Sequence, residues 1–274
     1  MRKTLFWIFA IVITLAAAVY QRKTGPTYPK KVTVGINTKK YTFDLKRNSD
    51  NDKDCDIRIC IPDSGVTALI NYKLYPVEDE WKQTGFVRDS NNLIGYLPKQ
   101  PAAGKLEYYI TFMYKDKPEE VTHTEHVIIR FKNPVPLWAL LPHILFMFIA
   151  MLLSNLTGIY ALFKLEKQKF YGRLTLLFII LGGIIFGPVV QHFAFGQAWT
   201  GVPFGWDLTD NKTLIALVFW IIAVVVNSKK QNLRLTILAS LVLFVVYIIP
   251  HSLLGSEFDY AKGEVVTGVI NLIH

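Results

Sequence analysis

The sequence predicts a membrane protein of mixed β and α structure: an N-terminal signal anchor, an extracytoplasmic antiparallel β-sandwich and a C-terminal four-helix transmembrane bundle. Three observations predict it. Hydrophobic residues make up 51% of the 274 positions, and the mean hydropathy is +0.30, too apolar for a disordered chain. The apolar residues gather in five runs, four of them in the C-terminal half. Between the first run and the other four, apolar and polar residues alternate and turn signals break the alternation.

The first run, Phe6 to Tyr20, follows Arg2 and Lys3 and carries Ala16, Ala17 and Ala18 near its end. A signal peptide with a small-residue cleavage site has this form, and so does an uncleaved anchor. Continuation through Gln21 to the basic Arg22 and Lys23 favours an anchor over residues 1–23. Either reading exports the segment that follows.

Residues 24–133 read as the sandwich. Lys31–Gly35, Lys40–Asp44, Asp56–Ile61, Val66–Tyr75, Leu93–Leu97, Lys105–Tyr114 and His126–Phe131 have strand character. Pro62–Gly65, Asn91–Asn92, Pro101–Gly104 and Lys115–Pro118 supply turns. Such short strands without helical periodicity form the pattern of an antiparallel sandwich. The stretches Ile70–Tyr75, Tyr96–Pro101 and Lys105–Ile110 resemble immunoglobulin-like or fibronectin-III-like modules. That resemblance implies binding, spacing or scaffolding, and it implies no catalysis.

Cys55 and Cys60 are the only cysteines. In a regular strand they face opposite sides and stand about 16 Å apart, too far for a disulfide. An exported compartment permits one only if the chain bends at Asp56. His123 and His126 likewise face opposite sides of a strand, a poor geometry for a shared metal, and read as solvated.

Residues 134–255 read as the bundle. The runs Leu137–Phe163, Leu174–Val190, Leu214–Val226 and Leu235–Pro250 contain no Asp, Glu, Lys or Arg, and crossing hydrocarbon takes about 20 mostly apolar residues. Lys164, Lys167, Lys169 and Arg173 connect the first pair, and Lys229, Lys230 and Arg234 the second. The positive-inside rule makes these loops cytoplasmic and the rest of the connections external. With Arg2 and Lys3 they hold nine basic residues against one acid, Glu166, and so carry +8 of the net +9. The basic balance is thus a topology signal. It removes nucleic acid from the partners and leaves the lipid bilayer and a protein partner.

Any function therefore sits on the external side. The 191–212 loop is long for a bundle and rich in aromatics (Phe193, Phe195, Trp199, Phe204, Trp206). The string Trp199–Lys212 resembles loops of bacterial inner-membrane proteins without assigned activity, which implies a bacterial origin and a place in the inner membrane. Thr209 or Asp210 is positioned to cap the fourth span. Topology brings His143, His192 and His251 to one level, with Asp207, Asp210, Glu257 and Asp259 in adjoining segments. Imidazole is the commonest transition-metal ligand and also ligates haem, so these residues form a candidate site for a transition metal or haem b. A structural polar network at the mouth is the competing reading. Gly183 and Gly187 permit close helix approach, and Ser154, Asn155 and Thr157 can bond across helices. The 256–274 tail, apolar at Val265, Val266, Val269, Ile270 and Ile273, suits an interfacial helix.

No zinc-protease, Walker A, nucleophile-elbow, covalent-haem or dinucleotide fingerprint is present. Two function classes remain. One is an accessory or scaffold subunit of an envelope complex, docking a partner through the sandwich. The other is an outward-facing metal or haem protein performing redox work or metal-dependent hydrolysis. A transporter is the least supported, because the spans carry no charge.

Overall fold

The computed structural model describes residues 2–115, 117–251 and 255–266, without the side chains of residues 2 and 117–120. The chain forms two compact units. One comprises residues 27–134 and 257–266, the other residues 1–26 and 135–256.

The first unit is built of β-strands. A hairpin joins β1 (Lys30–Ile36) to β2 (Lys39–Leu45). A short β3 (Asn48–Asp50) and β4 (Cys55–Cys60) follow. Then come β5 (Val66–Tyr75), β6 (Lys82–Gly85), β7 (Val87–Asp89), β8 (Asn92–Leu97), β9 (Lys105–Tyr114), β10 (Lys117–His123) and β11 (Val127–Lys132). A six-stranded sheet runs β3-β11-β9-β5-β6, with β10 also paired to β9, and a three-stranded sheet runs β4-β8-β7. All pairings are antiparallel except β3 with β11. Alternation decides what is inside: Leu106, Tyr108, Ile110 and Phe112 of β9 are buried, as are Ile57 and Ile59 of β4. They share one hydrophobic core with Ile70, Leu93, Leu97, Val127 and Ile129. The unmatched elements, β3, β6, β7 and β10, are short or polar, so no apolar alternation announces them.

Cys55 is buried and Cys60 exposed, both as free thiols, as expected for residues five apart in one strand. Burial raises the Cys55 thiol above its ordinary pKa.

The tail departs from its predicted form. Residues Glu257–Asp259 and Glu264–Val266 make an antiparallel hairpin, β12 and β13, within the β unit. Glu257 pairs with Lys105, and the Phe258 amide donates to the Ala103 carbonyl at 3.3 Å. Val265 and Val266 therefore sit in a strand. Val269, Ile270 and Ile273 lie outside the described residues. Three residues are too few to show either period, and the available strand partner decides between them.

The second unit is helical: α1 (Arg2–Thr24), α2 (Leu137–Leu162), α3 (Gln168–Ile179), a π-helical segment (Ile180–Phe186), α4 (Gly187–Phe195), α5 (Leu208–Lys229) and α6 (Leu233–Ile248). Among the described residues, four helices are long and apolar enough to cross a membrane: Lys3–Thr24, Leu137–Leu162, the continuous Gln168–Phe195, and Leu208–Lys229. The expected fifth run forms α6, only 16 residues long.

α1 is a full member of this unit rather than a separate anchor. Phe6 stacks on Phe163 at 4.8 Å between ring centroids, and Trp7 meets Tyr171 edge-on. Asn155 donates to Thr14 Oγ1 at 3.0 Å, and Gln21 donates to the Tyr247 carbonyl at 2.5 Å. Small residues set the helix spacing. A Cβ on Gly158 would stand 2.4 Å from Ser240 Oγ, and one on Gly183 would stand 2.7 Å from Thr213 Cγ2. Gly187 is less constrained, with its nearest neighbour at 3.5 Å.

Candidate functional site

A polar network gathers at the start of α5, with members that differ from those expected. Helix α5 starts at Leu208, so Asp207 rather than Thr209 or Asp210 is its N-cap. The Asp207 carboxylate accepts from the Thr209 amide at 2.7 Å and the Asp210 amide at 3.4 Å. Its second oxygen accepts from the Ser256 amide at 3.2 Å. Asp210 lies one turn further on and accepts from the Thr200 amide at 2.6 Å and the Thr200 hydroxyl at 3.1 Å. Gln191 donates to Thr200 Oγ1 at 2.6 Å and extends the network to α4. Asp207 and Asp210 are both buried, so each carboxylate replaces water with backbone donors. Gly201 is needed for this: a Cβ there would lie 2.7 Å from Asp210 Cβ.

Lys212 is the residue the sequence reading missed. It lies in α5, 4% exposed, and its ammonium donates to the Ile249 carbonyl at 2.7 Å. No ion pair to it forms among the described residues. Helix α5 therefore carries charged residues that the apolar run from Leu214 does not contain. The Asp207 capping signal could have placed Lys212 in the helix, since a cap at 207 makes residue 212 its fifth position.

His143, in α2, donates from Nδ1 to the Gly182 carbonyl at 2.9 Å, since a carbonyl can only accept. Its Nε2 is then the free lone pair. Gly182 belongs to the π-helical segment, where the wider turn releases carbonyls from the regular i, i+4 ladder. His251 follows α6. Burial of its ring lowers its pKa, and the Lys212 ammonium and His143 act in the same direction. His192 ends in the last turn of α4, exposed, with its ring near Phe193. Among the described residues no group of three or more His, Cys, Asp or Glu could hold a metal ion. His143, His192 and His251 thus do not form the expected ligand set.

Glu257 and Asp259 belong to the β unit. Glu257 pairs with Lys105, and Asp259 caps a turn by accepting from the Ala261 and Lys262 amides.

The β unit carries a second candidate site. Glu107, Tyr109 and Thr111 alternate on the face of β9 opposite the core. His126 stacks on Tyr109 at 4.8 Å and 7°, and His123 meets the same ring edge-on at 5.8 Å. Trp81, 38% exposed, stands edge-on to Tyr109 at 4.9 Å and to His126 at 5.3 Å. Polar groups pin the rings. His126 Nδ1 donates to Glu107 at 2.7 Å, Lys73 pairs with the other Glu107 oxygen at 3.3 Å, and the Lys73 ammonium lies 5.0 Å above the Trp81 ring. Burial raises the Glu107 pKa, but its bonds to His126 and Lys73 outweigh that and hold it below the usual carboxylate range.

This arrangement corrects the reading of His123 and His126 as opposite-facing. They belong to no common strand: His123 ends β10 and His126 precedes β11. The intervening segment brings both histidine rings against Tyr109.

No family model, curated protein or solved structure matches the chain.

Proposed function

We propose that the chain is a multi-pass protein of the bacterial inner membrane whose β unit is an extracytoplasmic β-sandwich. In this reading the sandwich is a recognition module and the bundle its anchor, together an accessory or scaffold subunit of an envelope complex. The ordered cluster of Trp81, Tyr109, His123 and His126 on the β surface carries the reading. Aromatic rings held exposed by a buttressing ion pair lose little conformational entropy on contact and offer large apolar area, the make-up of a binding hot spot.

A photo-crosslinking residue at position 81, introduced into the full chain in cells, tests it. A discrete adduct at 81 that is absent at Lys39, an exposed hairpin position, is the expected result. No adduct, or the same adducts at both positions, refutes it.

The burial of Asp210 and Lys212 favours a second reading, passage of a proton or small ion through the bundle. Intramembrane charges mark such pathways, and the absence of charge that had weighed against transport no longer holds. Lys212→Met, which keeps length and removes charge, would abolish a proton or cation flux into liposomes containing the protein.

A further inference from the structure

The segment around the α4–α5 connection sorts its aromatic residues into two groups. Phe193, Phe195 and Trp199 are half-buried. Phe193 meets the Trp138 ring edge-on at 5.6 Å, and the Trp199 Nε1–H donates to the Val202 carbonyl at 3.1 Å. The residues after Gly201 behave oppositely. Phe204 is 78% exposed, Trp206 72% and Val202 43%, and Pro203 is exposed among them. Single exposed apolar residues are ordinary on a protein surface, but a cluster of them within five positions marks a contact surface.

A fixed backbone holds these side chains outward. The Asp207 amide donates to the Thr200 carbonyl at 3.1 Å and closes the base of the loop. The Phe204 and Gly205 amides both donate to the Gly201 carbonyl, at 2.9 and 3.0 Å, and shape its tip. Helix α5 grips the loop twice: Asp210 accepts from the Thr200 amide, and Asn211 Oδ1 accepts from the Val202 amide at 2.8 Å. Retracting the tip would break these bonds, so the exposure of Phe204 and Trp206 is built in.

Position and charge say what meets the loop. It joins two helices that are each long and apolar enough to cross a membrane, Gln168–Phe195 and Leu208–Lys229, so it lies where those spans leave the hydrocarbon. From position 174 to position 206 there is no Asp, Glu, Lys or Arg. The α2–α3 connection holds Lys164, Glu166 and Lys167 instead, and the α5–α6 connection holds Lys230, the make-up of loops that stay in water. Trp138, in the first turn of α2, is also exposed, and its contact with Phe193 puts it at the same end of the helices as the loop. Tryptophan, with an apolar body and one N–H, is favoured at the boundary between acyl chains and headgroups. We propose that the 202–206 loop inserts into this boundary, so that Phe204 and Trp206 contact lipid rather than a protein partner. The inserted loop fixes the depth at which the adjoining Asp207–Asp210 network sits. This rests on the reading of the bundle as membrane-spanning and is independent of the recognition role proposed for the β unit.

The full chain is reconstituted into phosphatidylcholine–phosphatidylglycerol nanodiscs in a C60S background, which removes the exposed thiol and leaves Cys55 buried. One nitroxide label is attached in turn through F204C, W206C, V218C or K39C. All four positions are exposed, so the label displaces no packed side chain. Val218, midway along α5, reports the hydrocarbon, and Lys39, in the β1–β2 hairpin, reports water. Paramagnetic resonance gives the collision rate with oxygen, which concentrates in lipid, and with a water-soluble nickel chelate. The ratio of the two at 204 and at 206 should exceed that at 39 by threefold or more. A smaller ratio at either position overturns the proposal, and so does exclusion of both reagents, the mark of a protein cover. Position 218 separates the two levels. A high ratio at 218 with a water-like ratio at 204 or 206 refutes the insertion alone. A water-like ratio at 218 refutes the membrane reading and the insertion with it.

Discussion

Substituting Gly158 with alanine should destabilise the bundle, although alanine is the better helix former. The helix-propensity term favours alanine by about 1 kcal/mol. Against it, the new Cβ would lie 2.4 Å from Ser240 Oγ and 2.8 Å from Ser240 Cβ. Overpacking of this kind costs about 1–3 kcal/mol. Displacing Ser240 also breaks its 2.8 Å hydrogen bond to the Ser154 carbonyl, worth about 0.6 kcal/mol between membrane helices. The balance is a loss of about 1–2 kcal/mol, or a melting temperature lower by about 2–8 °C for a unit of this size. The assay is thermal unfolding of the full chain in detergent. S240G removes the clashing atoms, so adding G158A to S240G should raise the melting temperature. G187A is the control, because its Cβ meets nothing closer than 3.5 Å, and it should not lower the melting temperature. A G158A protein as stable as wild type, or one equally impaired in the S240G background, would refute the close approach of α2 and α6.

Further outcomes follow from the same structure. Because Thr14 bonds Asn155 and Gln21 reaches the α6 terminus, α1 should remain attached: the intact mass of the membrane-extracted protein should retain residues 2–18, and a mass beginning at Val19 would contradict it. A membrane-impermeant maleimide should label one cysteine, Cys60, in intact spheroplasts, and a second only after denaturation; labelling that requires permeabilised membranes would reverse the topology. The β unit should lose stability below about pH 4.5. Asp56 is lowered chiefly by its bond from Lys46, Asp79 chiefly by the Leu74 amide, and Glu107 is lowered against its own burial. Depressed carboxylates contribute stability above their unfolded pKa, about 4, which is lost as they protonate. E107Q should make the acid limb of melting temperature against pH shallower, and an unchanged limb would show that Glu107 contributes nothing.

Much of the architecture was legible from local pattern. Every strongly alternating segment became a strand, from Lys31–Gly35 to Lys105–Tyr114, because a two-residue apolar period has one burial solution. The apolar runs became helices because length and hydropathy are additive along the chain. Legibility failed at β3, β6, β7 and β10, whose residues pair at edges without burying an apolar face. It failed at the tail, where three-residue strands exist only by virtue of a partner. In the site it failed at Lys212, hidden by the boundary of an apolar run, and at the Trp81–Tyr109–His126 cluster. That cluster joins three segments that no spacing connects.

The sequence by itself determined what is local or additive: the division into a β segment and apolar helices, the opposite faces of Cys55 and Cys60, the concentration of positive charge in a few short loops. Tertiary structure decided which residues meet. It drew α1 into the bundle through Thr14 and Asn155. It gave Asp207 the cap and buried Lys212 beneath Ile249. It set His123 and His126 against one tyrosine. The physical reason is that hydropathy and period fix which face of an element is buried. Rotation about a helix axis and the pairing of distant strands are fixed only by side chains that come together when the chain folds.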